Sequence, residues 1–184
     1  MNVGGCNIHH NKKWGKAAKD LYLSAFPKEE RLPWWILWCN SLRPGIDLTA
    51  WTDNGEFCGF TYSVTVNGLH FLLFFAVEEN RRGMGYGSAI LSQLKETYGT
   101  VVLNVEPLIP EAPNYPQRLS RFAFYEKNGF HDTEYDVWEV GGKFRILSTD
   151  PHLQVALYKQ LFKKLTFGVW NVKVRKDNGI HTEK

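Results

Sequence analysis

The sequence predicts an α/β (α+β) fold, a mixed central sheet of about six to seven strands flanked by helices. Three observations predict it. Strand-like segments separated by the pairs Asn54-Gly55 and Asn67-Gly68 form an antiparallel meander, because Asn-Gly fits the tightest hairpin turn. Beyond them helical and strand-like periodicities alternate, which requires crossovers and a parallel pairing inside the sheet. The chain has 184 residues, 43% of them hydrophobic and 15% aromatic, enough for one domain with a full core. Residues 1–170 therefore read as a single domain and residues 171–184 as a polar C-terminal tail.

The first helix spans Lys13 to Phe26. Trp14, Ala17, Ala18, Leu21, Tyr22 and Ala25 recur at helical spacing, and Pro27 ends it. Arg31–Ser41 reads as a second helix or a buried aromatic segment around Trp34, Trp35 and Trp38. Leu48–Thr52 is the first strand of the meander. In the second, Cys58, Phe60, Tyr62, Val64 and Val66 alternate with smaller residues. Leu69–Val77 is almost continuously apolar, as a strand covered on both faces would be. Gly85–Tyr98 is helical with Ile90, Leu91 and Leu94 on one side, and Gly99 closes it. Val101–Glu106 is a strand. Pro116–Asn128 is a helix with Leu119, Phe122 and Ala123 inward and Gly129 as terminator. Phe130–Val140 and Phe144–Leu147 are strands joined by Gly141-Gly142. Asp150-Pro151 caps a last helix that carries Leu153, Leu157, Leu161 and Leu165. In the tail, Val172 and Val174 could add an edge strand.

Composition narrows the function. The net charge of +3 falls far short of the footprint of a nucleic-acid binder, even with Lys173, Arg175 and Lys176 clustered near the end. It suits a ligand with several phosphates. Cys6, Cys39 and Cys58 have no metal or redox spacing and read as free thiols of a reducing compartment. Lysines at 12, 13 and 16 interrupt any signal-like core, and no apolar run could span a membrane, so the expectation is a cytoplasmic protein with no membrane partner. The six histidines pair with no acidic or cysteine ligand at metal spacing, so no metal is expected.

The most informative stretch is Arg81-Arg82-Gly83-Met84-Gly85-Tyr86-Gly87-Ser88, between the most apolar strand and a helix. Glycines permit positive φ and close approach of the backbone to a ligand. The first turn of a helix offers unpaired N–H groups and partial positive charge. Together they make a diphosphate cradle, to which Arg82 adds charge and Ser88 a hydroxyl. A P-loop would need lysine after its last glycine, and the dinucleotide fingerprint needs a different glycine spacing.

This stretch resembles motif A of the GNAT superfamily of N-acetyltransferases, whose core is Arg or Gln, two residues, Gly, one residue, Gly or Ala. Arg82, Gly85 and Gly87 match it. The preceding strand resembles the family's fourth, ending in Ala76-Val77. A second block, Phe124-Tyr125-Glu126-Lys127-Asn128-Gly129-Phe130, is similar to the family's Phe-Tyr-x-Lys-x-Gly-Phe. Ala25-Phe26-Pro27 with Glu30-Arg31-Leu32-Pro33 is similar to a substrate-side region of some bacterial members. The likeness covers roughly residues 14–148. One departure is Arg118, where many members carry Asn seven residues before the tyrosine.

The resemblance implies acetyl-CoA as co-substrate and an amine, on a small molecule or a protein, as acceptor. It implies that the pantetheine arm pairs with the main chain of Phe75, Ala76 and Val77, and that the diphosphate sits on Arg82, Gly83, Met84, Gly85, Tyr86, Gly87 and Ser88. Arg118 could pair with phosphate instead of making the usual asparagine contact. An alkylammonium near pKa 10 needs a general base. Strand alternation sets Val102, Asn104 and Glu106 on one face, which makes Glu106 the candidate base, directly or through water. A solvated carboxylate beside Pro107 is the competing reading. Tyr125 matches the family's general acid; otherwise it is an amphipathic core tyrosine. Trp34, Trp35 and Trp38 are core residues or walls of an acceptor pocket. The loop Pro107–Pro116, with four prolines and Glu111, borders the acceptor site on this reading and favours a cation. The helix from Pro151 offers a surface for a homodimer. A non-catalytic acyl-CoA sensor on the same fold would keep Gly83–Ser88 and need neither Glu106 nor Tyr125.

Overall fold

A computed structural model describes residues 1–139, 142–169 and 171–177. It divides into two compact units, Met1–Val101 and Val102–Lys184.

The first unit holds β1 (Val3–Asn7), α1 (Lys13–Ala25), α2 (Trp34–Asn40), β2 (Ile46–Asp53), β3 (Glu56–Val66), β4 (Leu69–Val77) and α3 (Tyr86–Tyr98). Its strands lie in the order β1-β2-β3-β4, each antiparallel to the next. Both hairpins turn as Asn-Gly predicts. Asn54 and Gly55 have φ of 50° and 80°, and Asn67 and Gly68 have 46° and 83°, the left-handed pair of a type I′ turn. Helical spacing on α1 buries Ala18, Leu21 and Tyr22, and α1 packs on β2, β3 and β4. The Tyr22 ring meets Phe74 at 5.0 Å and Phe60 at 6.0 Å. Its hydroxyl donates to the Leu32 carbonyl at 2.9 Å, so this aromatic cluster buries no unpaired hydroxyl there. Burial pushes the Tyr22 phenol up to about 12.

Gly59 sets the end of β4. It lies opposite Val77, and a Cβ there would stand 2.6 Å from the Ala76 carbonyl oxygen. That oxygen is backbone and cannot swing aside. Gly59→Ala should therefore destabilise the fold by about 1–3 kcal/mol, the usual cost of overpacking. A denaturant midpoint unchanged from the parent would refute the close approach.

The second unit holds β5 (Thr100–Val105, whose first two residues precede the boundary), α4 (Tyr115–Lys127), β6 (His131–Glu139), β7 (Gly142–Ser148), α5 (Val155–Leu165) and β8 (Lys173–Lys176). Its strands lie in the order β5-β7-β6-β8, all antiparallel. Val102, Leu103, Val105, Val137, Ile146 and Leu147 are its buried apolar strand residues, and α5 buries Tyr158, Leu161, Phe162 and Leu165. The chain after α5 is fixed to this sheet. Val174 pairs with Val137, and Asp177 accepts a hydrogen bond from Arg145 at 2.6 Å.

The described residues thus form eight strands, one more than the upper expectation. The unexpected one is β1, whose sequence Val-Gly-Gly-Cys-Asn has no apolar alternation and is held by backbone pairing to β2. Of the polar tail, residues 173–176 are strand β8, and 178–184 lie outside the described residues. Of the Gly141-Gly142 turn, Gly141 and the neighbouring Val140 also lie outside them.

The last helix starts later than Asp150-Pro151 suggests. The Asp150 carboxylate accepts the His152 amide at 2.8 Å, a local turn that competes with helix entry, and α5 begins at Val155. Leu153 therefore precedes the helix. Helix α4 also differs from expectation: Leu119 and Ala123 are exposed, Phe122 is half-buried, and no residue of α4 is fully buried. Among the described residues no helix is long and apolar enough to cross a membrane.

Candidate active site

The chain leaves β4 through a short turn over Glu79–Arg81 and enters α3 through Gly83 and Gly85, whose φ values are 74° and 88°. A Cβ at Gly83 would meet no atom within 4 Å, so the left-handed backbone rather than crowding calls for glycine there. Gly85 is the N-cap of α3, with no side-chain cap, and the first helical bond runs from the Ala89 amide to the Gly85 carbonyl at 3.0 Å. The amides of Tyr86, Gly87 and Ser88 precede that bond and have no intrahelical partner. Arg82, Gly83, Met84 and Gly85 are exposed, and Gly87 and Ser88 are half-buried. Arg82 Nε donates to the Val77 carbonyl at 3.2 Å, which holds the guanidinium beside the loop. A diphosphate fits this donor set of main-chain amides, one guanidinium and one hydroxyl.

Tyr86 does not present its ring to that cradle. It is buried; its hydroxyl donates to Asp53 at 2.9 Å and accepts from Arg81 Nη1 at 3.0 Å. Arg81 also meets Glu56 at 2.5 Å. The adjacent arginines therefore part: Arg81 and Tyr86 pin the loop to the β2–β3 hairpin, and Arg82 stays outside. Tyr86 can contribute its main chain to a ligand, but its side chain is engaged elsewhere.

The register of β4 decides which backbone groups are available. The Glu78 amide donates to the Cys58 carbonyl at 3.0 Å. Antiparallel bonding alternates, so Ala76 bonds with Phe60, and the N–H and C=O groups of Phe75 and Val77 point to the other edge of β4. The Val77 carbonyl, taken by Arg82, points that way.

In the second unit, Glu106 follows the end of β5. Its side chain is 16% exposed, and both oxygens are engaged. Oε1 accepts from Asn114 Nδ2 at 2.9 Å and faces Arg118 Nη2 at 3.2 Å, while Oε2 meets Arg121 Nη2 at 2.7 Å. Arg118 in turn donates to Asn114 Oδ1 at 2.7 Å and to the Pro107 carbonyl at 3.0 Å. The cluster fastens the entry of α4 to the end of β5. Asn114 and Arg121 are the members sequence reasoning passed over; helical spacing from Arg118 to Arg121, one turn apart, was the available signal. Tyr125 lies one turn beyond Arg121. Its ring packs against Phe124 at 5.3 Å and Phe130 at 5.6 Å. Burial pushes its phenol up to about 12, and Arg121 pulls the other way.

A third group has no motif. Glu139, at the end of β6, accepts a hydrogen bond from Asn104 Nδ2 at 2.8 Å, and the buried Tyr158 hydroxyl donates to Asn104 Oδ1 at 2.8 Å. Burial raises the Glu139 carboxyl to about 7, and the Asn104 hydrogen bond opposes it. The same burial raises Tyr158, with Glu139 as the second cause.

The expected tryptophan wall is partial. Trp34 rests on Tyr22 at 5.7 Å and Trp38 meets His9 edge-on at 4.5 Å, but Trp35 is 66% exposed. Among the described residues no group of three or more His, Cys, Asp or Glu could hold a metal ion.

Residues 46–132 match the family model of the acetyltransferase (GNAT) domain. The match runs from β2 past the end of α4 and includes both the glycine loop and the Phe-Tyr block. Residues 46–132 are thus similar to a GNAT acetyltransferase domain. Solved structures share the fold at low identity. A GNAT-family protein from Bacteroides thetaiotaomicron is 19% identical with a TM-score of 0.69, over 92% of this chain and all of that one. An aminoglycoside 6'-N-acetyltransferase solved with coenzyme A is 16% identical with a TM-score of 0.63, over 84% of this chain and 100% of that one. The ribosomal-protein-S18-alanine N-acetyltransferase of Escherichia coli is 18% identical with a TM-score of 0.58, over 83% and 96%. Among curated proteins, no sequence matches this chain.

Proposed function

We propose that this protein transfers the acetyl group of acetyl-CoA to a primary amine by direct attack in a ternary complex. The observation that carries the reading is the α3 entrance, an uncapped helix N-terminus reached through two left-handed glycines and flanked by Arg82. Its amides and guanidinium would hold the diphosphate, and the outward main-chain groups of Phe75 and Val77 would pair with the pantetheine arm. A backbone N–H there would also stabilise the oxyanion that forms as the thioester carbonyl is attacked. Glu106, directly or through water, takes a proton from the nitrogen as the new C–N bond forms. Tyr125, protonated at neutral pH, gives a proton to the departing sulfur. Arg118 and Arg121 hold the Glu106 carboxylate in place; Arg118 would reach a phosphate by exchanging its present partners.

Purified protein mixed with acetyl-CoA and a panel of amines, from polyamines and aminoglycosides to peptide N-termini, should release free thiol. No thiol release together with no acetyl-CoA binding would reject the proposal. One observation favours a second reading, a non-catalytic acyl-CoA sensor: every recorded contact of the Glu106 carboxylate suits a structural anchor. Tight acetyl-CoA binding with no turnover across the panel would select that reading.

A further inference from the structure

The geometry points to Glu139 as a second proton acceptor for the acceptor amine, with Asn104 as its anchor and Tyr158 as the positioning residue behind it. The inference rests on the acetyl-transfer reading above and adds a residue that neither matched motif contains.

Chemistry calls for two proton acceptors. An ammonium must lose one proton before its nitrogen can attack, and the adduct's nitrogen loses another as the amide forms. Glu139 takes the first, leaving the free amine. The amine attacks the thioester carbon, a C–N bond forms, and Glu106 takes the second proton. The C–S bond breaks, sulfur keeps the electron pair and receives the Tyr125 proton, and the phenolate recovers a proton from Glu106 through water. Glu139 returns its proton to solvent. The sum is ammonium plus thioester giving amide, thiol and one proton.

The two carboxylates differ in what holds them. Both oxygens of Glu106 meet cations or an amide donor. Glu139 has one oxygen on the neutral Asn104 amide, and its other oxygen has no partner among the described residues. Asn104 lies on β5 two residues before Glu106, which follows the strand's last residue, so the Glu139 array is anchored at the end of β5 beside Glu106 in the chain. From α5 the group facing Glu139 is the Tyr158 phenol, whose hydrogen bond orients Asn104 with its N–H toward the carboxyl. A carboxyl partly removed from water resists ionisation unless a cation arrives, which suits a cationic acceptor better than a neutral one. Its placement near 7 lets it accept a proton at neutral pH and release it again.

The sign of the linkage follows from that direction. The folded carboxyl is raised from 4.5 to about 7, so its contribution to stability is full below 4.5 and lost as pH rises through 7. Glu139→Gln should flatten that part of the stability profile.

The deciding experiment measures kcat/KM against pH for the parent and for Glu139→Gln, with an amine from the panel that the parent acetylates. Acetyl-CoA affinity and the carbon NMR titration of glutamate side chains are measured alongside. In the parent one carboxyl should titrate near 7 and activity should fall below that pH. In Glu139→Gln the resonance should vanish, the acidic limb should move or disappear, and kcat/KM at pH 7.5 should fall about 10²-fold with cofactor affinity unchanged. Tyr158→Phe, which keeps the ring, should shift the limb with a smaller loss. An acidic limb unchanged in Glu139→Gln overturns the inference and leaves the acetyl-transfer reading intact. A parent that acetylates no amine overturns both.

Discussion

Replacing Arg82 and Gly85 together by glutamate should weaken acetyl-CoA binding by about 10³-fold or more while the fold survives. Arg82 is exposed and, among the described residues, makes a single hydrogen bond, to the Val77 carbonyl. Gly85 has φ of 88°, a conformation that a side chain adopts at a cost of about 1 kcal/mol. The larger effect is electrostatic. Two carboxylates would replace one guanidinium and one open approach at the helix N-terminus, and like charges at a desolvated phosphate cost several kcal/mol. Arg82→Glu alone is the control that keeps the backbone unstrained; it should lose about 10-fold. Equilibrium titration with acetyl-CoA decides the matter. A folded double variant with parental affinity would remove the cradle from the mechanism, whatever the sequence resembles.

Tyr125→Phe and Glu106→Gln should each lower kcat by about 10²–10⁴-fold with little change in cofactor affinity. The tyrosine variant is the cleaner of the two. Among the described residues its hydroxyl has no hydrogen-bond partner, and its ring packs against Phe124 and Phe130, contacts that phenylalanine keeps. Only proton donation to sulfur should be lost. The glutamine variant also removes the charge between Arg118 and Arg121, which would then face each other across a neutral amide. Its melting temperature must therefore be read beside its kcat. A drop in kcat with an unchanged melt supports proton transfer. A fall in both that Glu106→Asp restores in stability but not in rate supports it too. Full turnover in Tyr125→Phe would remove the assigned acid and leave the likeness of residues 46–132 to the GNAT domain untouched.

Local chemistry made much of this protein legible. Asn-Gly at 54–55 and 67–68 dictates type I′ turns, because only residues tolerant of positive φ fit both central positions. The same rule marked Gly83 and Gly85, since a glycine-entered helix behind an apolar strand is a local arrangement that needs no distant partner. Helical spacing placed Ala18, Leu21 and Tyr22, and Ile90, Leu91 and Leu94, on buried faces.

What the sequence by itself determined is the order of elements from α1 onward, the two hairpin turns and the glycine-lined entrance to α3, because each depends on backbone preferences within a few residues. Tertiary structure alone decided the partners of the ionisable side chains. Arg81 turns to Tyr86 and Glu56, while Arg82 makes no ion pair among the described residues; Glu106 is held by Asn114, Arg118 and Arg121; and Glu139 meets Asn104, 35 residues before it, which in turn is held by Tyr158, 54 residues further on. A side chain's charge and reactivity follow from which donors and how much water surround it, and those neighbours come from strands and helices distant in sequence.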